Sequence, residues 1–178
     1  VSLLFFGLPA LLVLAVSIGA CLLTEWVIAS RVMHRPCTLG NGSALITGIL
    51  LAFNLPSILP WWMVVIGAVV SIGIGKMSFG GLGCNIWNPA LVGRVFLLLS
   101  FPAAMTTWPE MQNGIDGVTG ATILASHKTS GHVVGSGVVD WTALGIGNMN
   151  GSMGEVGALA ITIGLVWLLI TRTITWHI

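Results

Sequence analysis

Two threonine hydroxyls lie close together in the run Asp116-Gly117-Val118-Thr119-Gly120-Ala121-Thr122. Glycine and alanine around them leave the backbone almost bare, so the segment can lie flat against a large planar ligand. A threonine oxygen there is open to hydrogen bonding or to esterification. The run sits in a polar segment, residues 103–155, of an otherwise apolar chain. A second candidate is Gly80-Gly81-Leu82-Gly83-Cys84-Asn85-Ile86-Trp87-Asn88-Pro89, with three glycines, two carboxamides and a proline-started helix. Its backbone N–H groups could cradle an anion. No Gly-Lys-Ser/Thr follows it and no βαβ unit surrounds it, which excludes a P-loop and a dinucleotide fingerprint.

Other reactive side chains point to less. Cys21, Cys37 and Cys84 have no CxxC spacing, which argues for packed thiols rather than a zinc or iron–sulfur centre. Ser126, His132 and Asp140 form a hydrolase triad only on paper, since no nucleophile elbow frames them; His127 and His132 read as loop histidines. Arg94 lies within an apolar run, where a charge is a functional candidate by default. The alternatives are a structural pair or a stem that snorkels to headgroups. Glu25 reads as interfacial, within reach of Arg31 if the helix continues, and Glu155 as an acid near a helix start.

The elements that must hold these groups are membrane spans. Of 178 residues, 56% are hydrophobic and 6% charged. Mean hydropathy is +1.02. Soluble domains carry about 25% charged residues, so eleven Lys, Arg, Asp and Glu side chains cannot cover a water-soluble fold. No basic cluster exists to bind nucleic acid. Five apolar runs stand out: Leu3–Leu23, Ser43–Leu55, Trp61–Ile74, Leu91–Phe101 and Val156–Ile170. The first reads as a span rather than a signal peptide, being long, without a basic start and without a small-residue cleavage site before Glu25. The rest fall short of the roughly 20 residues of a full crossing, which predicts short or broken helices. Two helix starts are legible, a polar one at Asn41-Gly42-Ser43 and a proline one at Asn88-Pro89.

If the five runs alternate in direction, Arg31, Arg35, Lys76, Arg94 and Arg172 share one side. Segment 103–155, with Glu110, Asp116, Asp140 and Glu155 against Lys128, falls on the other. Positive charge marks the cytoplasmic side, so the Thr122 loop is expected on or near the outer face. Trp26, Trp61, Trp62, Trp108 and Trp176 fall where interfacial rings are expected.

The run Asp116–Thr122 resembles the flavin-attachment motif of the membrane flavoproteins in the Rnf and NQR complexes, an Asp-Gly-x-Ser/Thr-Gly-Ala-Thr pattern. The likeness extends in order along the chain. Asn41–Gly48 resembles the Asp-Gly-Ser-Ala helix start of the Rnf D subunit, with Asn41 in place of the acid. Phe79–Phe101 resembles its Gly-Gly-Leu-Gly-x-Asn-x-x-Asn-Pro-Ala segment, and Gly151–Glu155 its Gly-Ser-x-Gly-Glu turn. Ile123 stands where that family often has proline.

The resemblance implies an all-α integral membrane protein, with residues 1–178 a single membrane domain of about five visible spans in an inverted-repeat subunit of about ten. It implies FMN bonded through its phosphate to Thr122, with Thr119, Gly120, Ala121 and Asp116 shaping the site, and leaves room for a second flavin such as riboflavin. It also implies partner subunits of a multi-subunit complex in the prokaryotic inner membrane, relaying electrons in ferredoxin:NAD+ oxidoreduction coupled to Na+ or H+ movement. Two other readings are open. One is the related B subunit of the Na+-pumping quinone reductase. The other is a cofactor-free channel or solute carrier, in which Thr119–Thr122 is only a small-residue turn.

Overall fold

In a computed structural model of the chain, which describes residues 2–34, 39–109, 119–120, 151–154 and 158–175, helices follow the apolar runs. They are α1 (Ser2–Val27), α2 (Ser43–Phe53), α3 (Trp61–Gly73), α4 (Pro89–Ser100), the short α5 (Pro102–Thr106) and α6 (Ala158–Ile170). A π-helical turn, Ile28–Val32, extends α1, and single 3-10 turns cover Leu39–Asn41 and Met77–Phe79. The stretches Phe6–Val32 and Trp61–Phe79 are long and apolar enough to cross a membrane; α2, α4 and α6 are shorter. The fold departs from all-helical at a small ribbon, in which β1 (Trp108–Pro109) pairs antiparallel with β2 (Thr119–Gly120).

Helices α1 to α4 make the packed core. Their contact faces mix small residues such as Ala10, Ala44, Ala68 and Ala90 with Leu51, Ile72 and Leu97, and large apolar side chains such as Leu12, Leu23, Trp61 and Leu99 point outward. That distribution suits a lipid surround, where close backbone approach rather than water exclusion drives association. Ser17 Oγ donates to the Gly48 carbonyl at 2.8 Å, binding α1 to α2. A Cβ at Gly48 would stand 2.8 Å from Ile18 Cα, and one at Gly93 would stand 2.8 Å from the Gly67 carbonyl oxygen. Glycine at those two places lets backbones meet. Gly7, at φ 58°, and Pro9 kink α1 near its start.

The run Val156–Ile170 does form a helix, α6, but all its residues from Ala158 to Ile170 are exposed. The packed bundle among the described residues is therefore four-helical, one helix fewer than the apolar runs suggested.

The connections define two ends. Ser71 Oγ, late in α3, donates to the Pro89 carbonyl at the start of α4 at 2.6 Å. Lys76, just after α3, reaches Glu25 late in α1 and Ser43 at the start of α2. The end of α1, the start of α2, the end of α3 and the start of α4 therefore share one end of the bundle. At the other end, Trp62 in the first turn of α3 packs edge-on against Phe101 at the close of α4, ring centroids 5.4 Å apart. The Gly154 N–H donates to the Phe53 carbonyl there at 2.8 Å. The β1–β2 ribbon follows directly from α4 and α5, so Thr119 and Gly120 belong to this second end. Trp26 marks the first end and Trp61 and Trp62 the second, all three exposed, as interfacial rings would be.

Candidate functional site

At the first end lies a buried charge cluster. Lys76 Nζ donates to Glu25 Oε2 at 2.6 Å and to Ser43 Oγ at 2.6 Å. Both charged side chains are all but inaccessible, at 2% and 1% exposure. Cys21 lies one helical turn before Glu25 and is fully buried. Three elements meet here for separable reasons. Glu25 falls in the last two turns of α1, which runs on past the apolar stretch to Val27. Ser43 opens α2, and Lys76 sits where α3 unwinds into the Met77–Phe79 turn.

This corrects two expectations. Glu25 pairs with Lys76 inside the bundle end rather than with Arg31, which is exposed. The start of α2 is not capped by a polar side chain either. Its N-cap is Gly42 at φ 66°, and the Ser43 hydroxyl is engaged by Lys76. One signal pointed to the pair, an acid and a base each bordering an apolar run, which inside a bilayer mark function by default. Their separation of 51 positions hid the contact.

The glycine-rich loop starts from the same lysine. Gly80, Gly81 and Gly83 all have positive φ, at 108°, 98° and 86°. Phe79 and Trp87 close the loop edge to face, 5.9 Å apart. The N–H groups of Gly80, Gly81 and Cys84 bond to the carbonyls of Met77, Lys76 and Gly81. Those three donors are spent on the loop's own turns. Asn85 Oδ1 is buried without a protein donor among the described residues. Asn88 caps α4 as expected, its Oδ1 accepting from the Ala90 N–H at 3.0 Å with Pro89 at the first helical position.

The open space around Gly81 means that a larger residue would suffer from backbone strain, not from collision. Gly81→Val should lower stability by about 1–3 kcal/mol, and Asn88→Ala by about 1 kcal/mol. Denaturation curves of the two variants beside wild type check this.

At the second end, Arg94 donates to Asn54 Oδ1 at 2.8 Å, and Asn54 Nδ2 donates to the Leu50 carbonyl at 2.7 Å. Arg94 is half-buried and makes a structural link between α4 and the end of α2. It reaches away from the Lys76 end. Of the proposed site residues, the backbones of Thr119 and Gly120 form β2, pinned to Trp108 and Pro109. Asp116, Ala121 and Thr122 lie outside the described residues, as do Cys37, His127, His132 and Glu155. The ribbon nonetheless ties the motif's chain to the end of the bundle that carries Arg94 and Asn54.

The sequence model of the NQR2, RnfD, RnfE family matches residues 1–178. The D subunit of the proton-translocating ferredoxin:NAD(+) oxidoreductase complex of Clostridium ljungdahlii is 40% identical over 97% of this chain and 54% of its own length. The D subunit of the Na(+)-translocating ferredoxin:NAD(+) oxidoreductase complex of Acetobacterium woodii is 42% identical over 97% of the chain and 54% of its own. The D subunit of the ion-translocating oxidoreductase complex of Escherichia coli is 36% identical over 98% of the chain and 59% of its own. The chain thus spans a little over half the length of these relatives.

Proposed function

Because the chain belongs to the NQR2, RnfD, RnfE family, we propose that it acts as the D-type membrane component of an ion-translocating ferredoxin:NAD+ oxidoreductase complex. In this reading it relays electrons through FMN held covalently at Thr122, and the complex moves Na+ or H+. The observation that carries the reading is the Asp116–Thr122 run, anchored through β2 at one end of the bundle. The chemistry of its residues fits FMN: Thr122 offers a hydroxyl for a phosphodiester, and Gly120-Ala121 leaves the backbone bare beside it. Bound there, FMN supplies the one- and two-electron chemistry. Thr119 and Asp116 orient and hydrogen-bond, and the β1–β2 pairing fixes the direction from which the motif's chain approaches. Further spans beyond this chain would complete a subunit of about ten helices in inverted repeat.

An absorbance spectrum of the purified protein separates this reading from the cofactor-free carrier. A flavin band that survives denaturation, with a flavin-sized adduct on the peptide containing Thr122, supports it. Active complex with an unmodified Thr122 peptide overturns it.

The two-ended bundle bears on the orientation: Arg94, expected on the Lys76 side, reaches to the opposite end instead. Arg31 and Val32 belong to the Lys76 end, and the ribbon to the other. Lys76 is neutralised by Glu25, so it counts less toward positive-inside bias than the exposed Arg31. A cysteine at Gly114 should react with an impermeant maleimide from outside intact cells, and one at Val32 should not. Reversed labelling would put the motif on the cytoplasmic face.

A further inference from the structure

The ribbon at the second end of the bundle sets one aromatic residue in register with the threonine run. Trp108 and Gly120 stand directly opposite each other in the β1–β2 pair, and Pro109 stands opposite Thr119. Opposite residues of an antiparallel pair have Cα atoms about 4.5–5.5 Å apart and carry their side chains on the same face. Gly120 has no side chain, so no cross-strand neighbour covers the backbone beside the Trp108 indole. A flat ligand can approach such a backbone closely.

Trp108 is held in place from its own side of the ribbon as well. Met105 is buried, and its N–H donates to the Phe101 carbonyl at 3.1 Å, which seats α5 on the end of α4. Thr107 Oγ1 donates back to the Ala103 carbonyl at 2.6 Å, so β1 leaves α5 from a closed turn. Trp108 is half-buried and enters no ring pair among the described residues, whereas Trp62 at the same end is paired with Phe101. A place at the membrane surface accounts for an indole at this depth. It does not call for the register that sets the indole against Gly120.

We infer that Trp108 is a further flavin-positioning residue: its indole and the bare Gly120 backbone form a wall against which the isoalloxazine of FMN tethered at Thr122 stacks. The assignment rests on the flavin reading of Thr122 and adds to it the surface that holds the plane of the ring. Thr122 follows Gly120 by two residues, and two residues of chain reach at most about 7 Å. The phosphate and the ribityl chain lie between that anchor and the isoalloxazine, so the tether is long enough to bring the ring over Trp108. Two flat aromatic systems in contact favour an offset stack.

The test is flavin emission from the whole purified complex, measured native and then denatured. An indole or a phenol touching an excited isoalloxazine passes it one electron and takes it back, which quenches emission. A benzene ring or an alkyl chain does not. Emission of the denatured chain after electrophoresis counts the adducts, and native emission of Thr122→Ala gives the share of any other flavin, to be subtracted. Per adduct, Trp108→Leu and Trp108→Phe should emit several-fold more than wild type, and Trp108→Tyr should stay as dark as wild type. Trp62→Leu, at the same end of the bundle, should stay dark too. A ring needed only for folding would be replaced equally well by Phe and Tyr, so a difference between those two variants marks contact with the flavin. That comparison decides alone if Trp108→Leu does not assemble. Trp108→Leu and Trp108→Phe as dark as wild type overturn the assignment and leave the flavin at Thr122 standing. A rise in Trp62→Leu equal to that in Trp108→Leu overturns it as well. A denatured wild-type chain that carries no flavin overturns the Thr122 reading, and this assignment with it.

Discussion

Thr122→Ala is expected to abolish covalent flavin altogether, from one adduct on the Thr122 peptide to none, and with it electron transfer through this subunit. The bundle should remain, because buried side chains of α1 to α4 pack on one another. Thermal unfolding of the variant should therefore match wild type while flavin fluorescence of the denatured chain disappears. Thr122→Ser keeps a hydroxyl and should keep some attachment. Thr119→Ala should retain part of the flavin, since Thr119 lies in β2 and its expected contribution is to orient the ligand. Fluorescence of denatured bands, together with peptide mass, separates the three variants. An adduct surviving in Thr122→Ala would move the anchor to another hydroxyl.

Lys76→Met should be the most damaging single change within the described residues. It removes the ammonium from a carboxylate that is 1% exposed and deletes the bond to Ser43. Breaking one side of a buried pair costs about 3–5 kcal/mol, a large share of the about 5–15 kcal/mol by which a domain is stable. Poor assembly of the complex is the expected phenotype. The double variant Glu25→Leu/Lys76→Met should recover most of that loss, because an apolar pair of similar volume removes both charges at once. Denaturation of the two variants beside wild type reads this directly. A Lys76→Met protein as stable as wild type would show that Glu25 does not depend on the lysine's charge.

Much of this organisation was legible from local signals. Each of the five apolar runs became a helix within a few residues of its expected limits, because an uninterrupted stretch of that length has no better way to satisfy its backbone in lipid. Asn88-Pro89 read correctly as a helix start, since cap and proline act on their immediate neighbours. What escaped was long-range. Glu25 and Lys76 are brought together by packing of α1 against α3, and the hydroxyl of Ser43, the first residue of α2, is engaged by a lysine far along the chain. Nothing in local periodicity encodes such a meeting. The ribbon was missed because two-residue strands carry no alternation to read. The exposed state of α6 could not be foreseen either: a helix apolar on all sides fits a bundle interior and a lipid face equally.

The antiparallel arrangement sets a limit on how the two ends can communicate. Ser43 and Asn54 stand at opposite ends of α2, roughly 16 Å apart at a rise of about 1.5 Å per residue. One added electron at that range, with an effective dielectric constant near 20, is felt with only about 1 kcal/mol. That shifts an occupancy about fivefold. Swinging a two-state element from 1:99 to 99:1 needs about 5.5 kcal/mol. Electric force across the length of α2 is therefore too weak to couple the two ends strongly by itself. Any stronger coupling between the ends needs a sliding helix, or a charge that comes closer than the far end of α2.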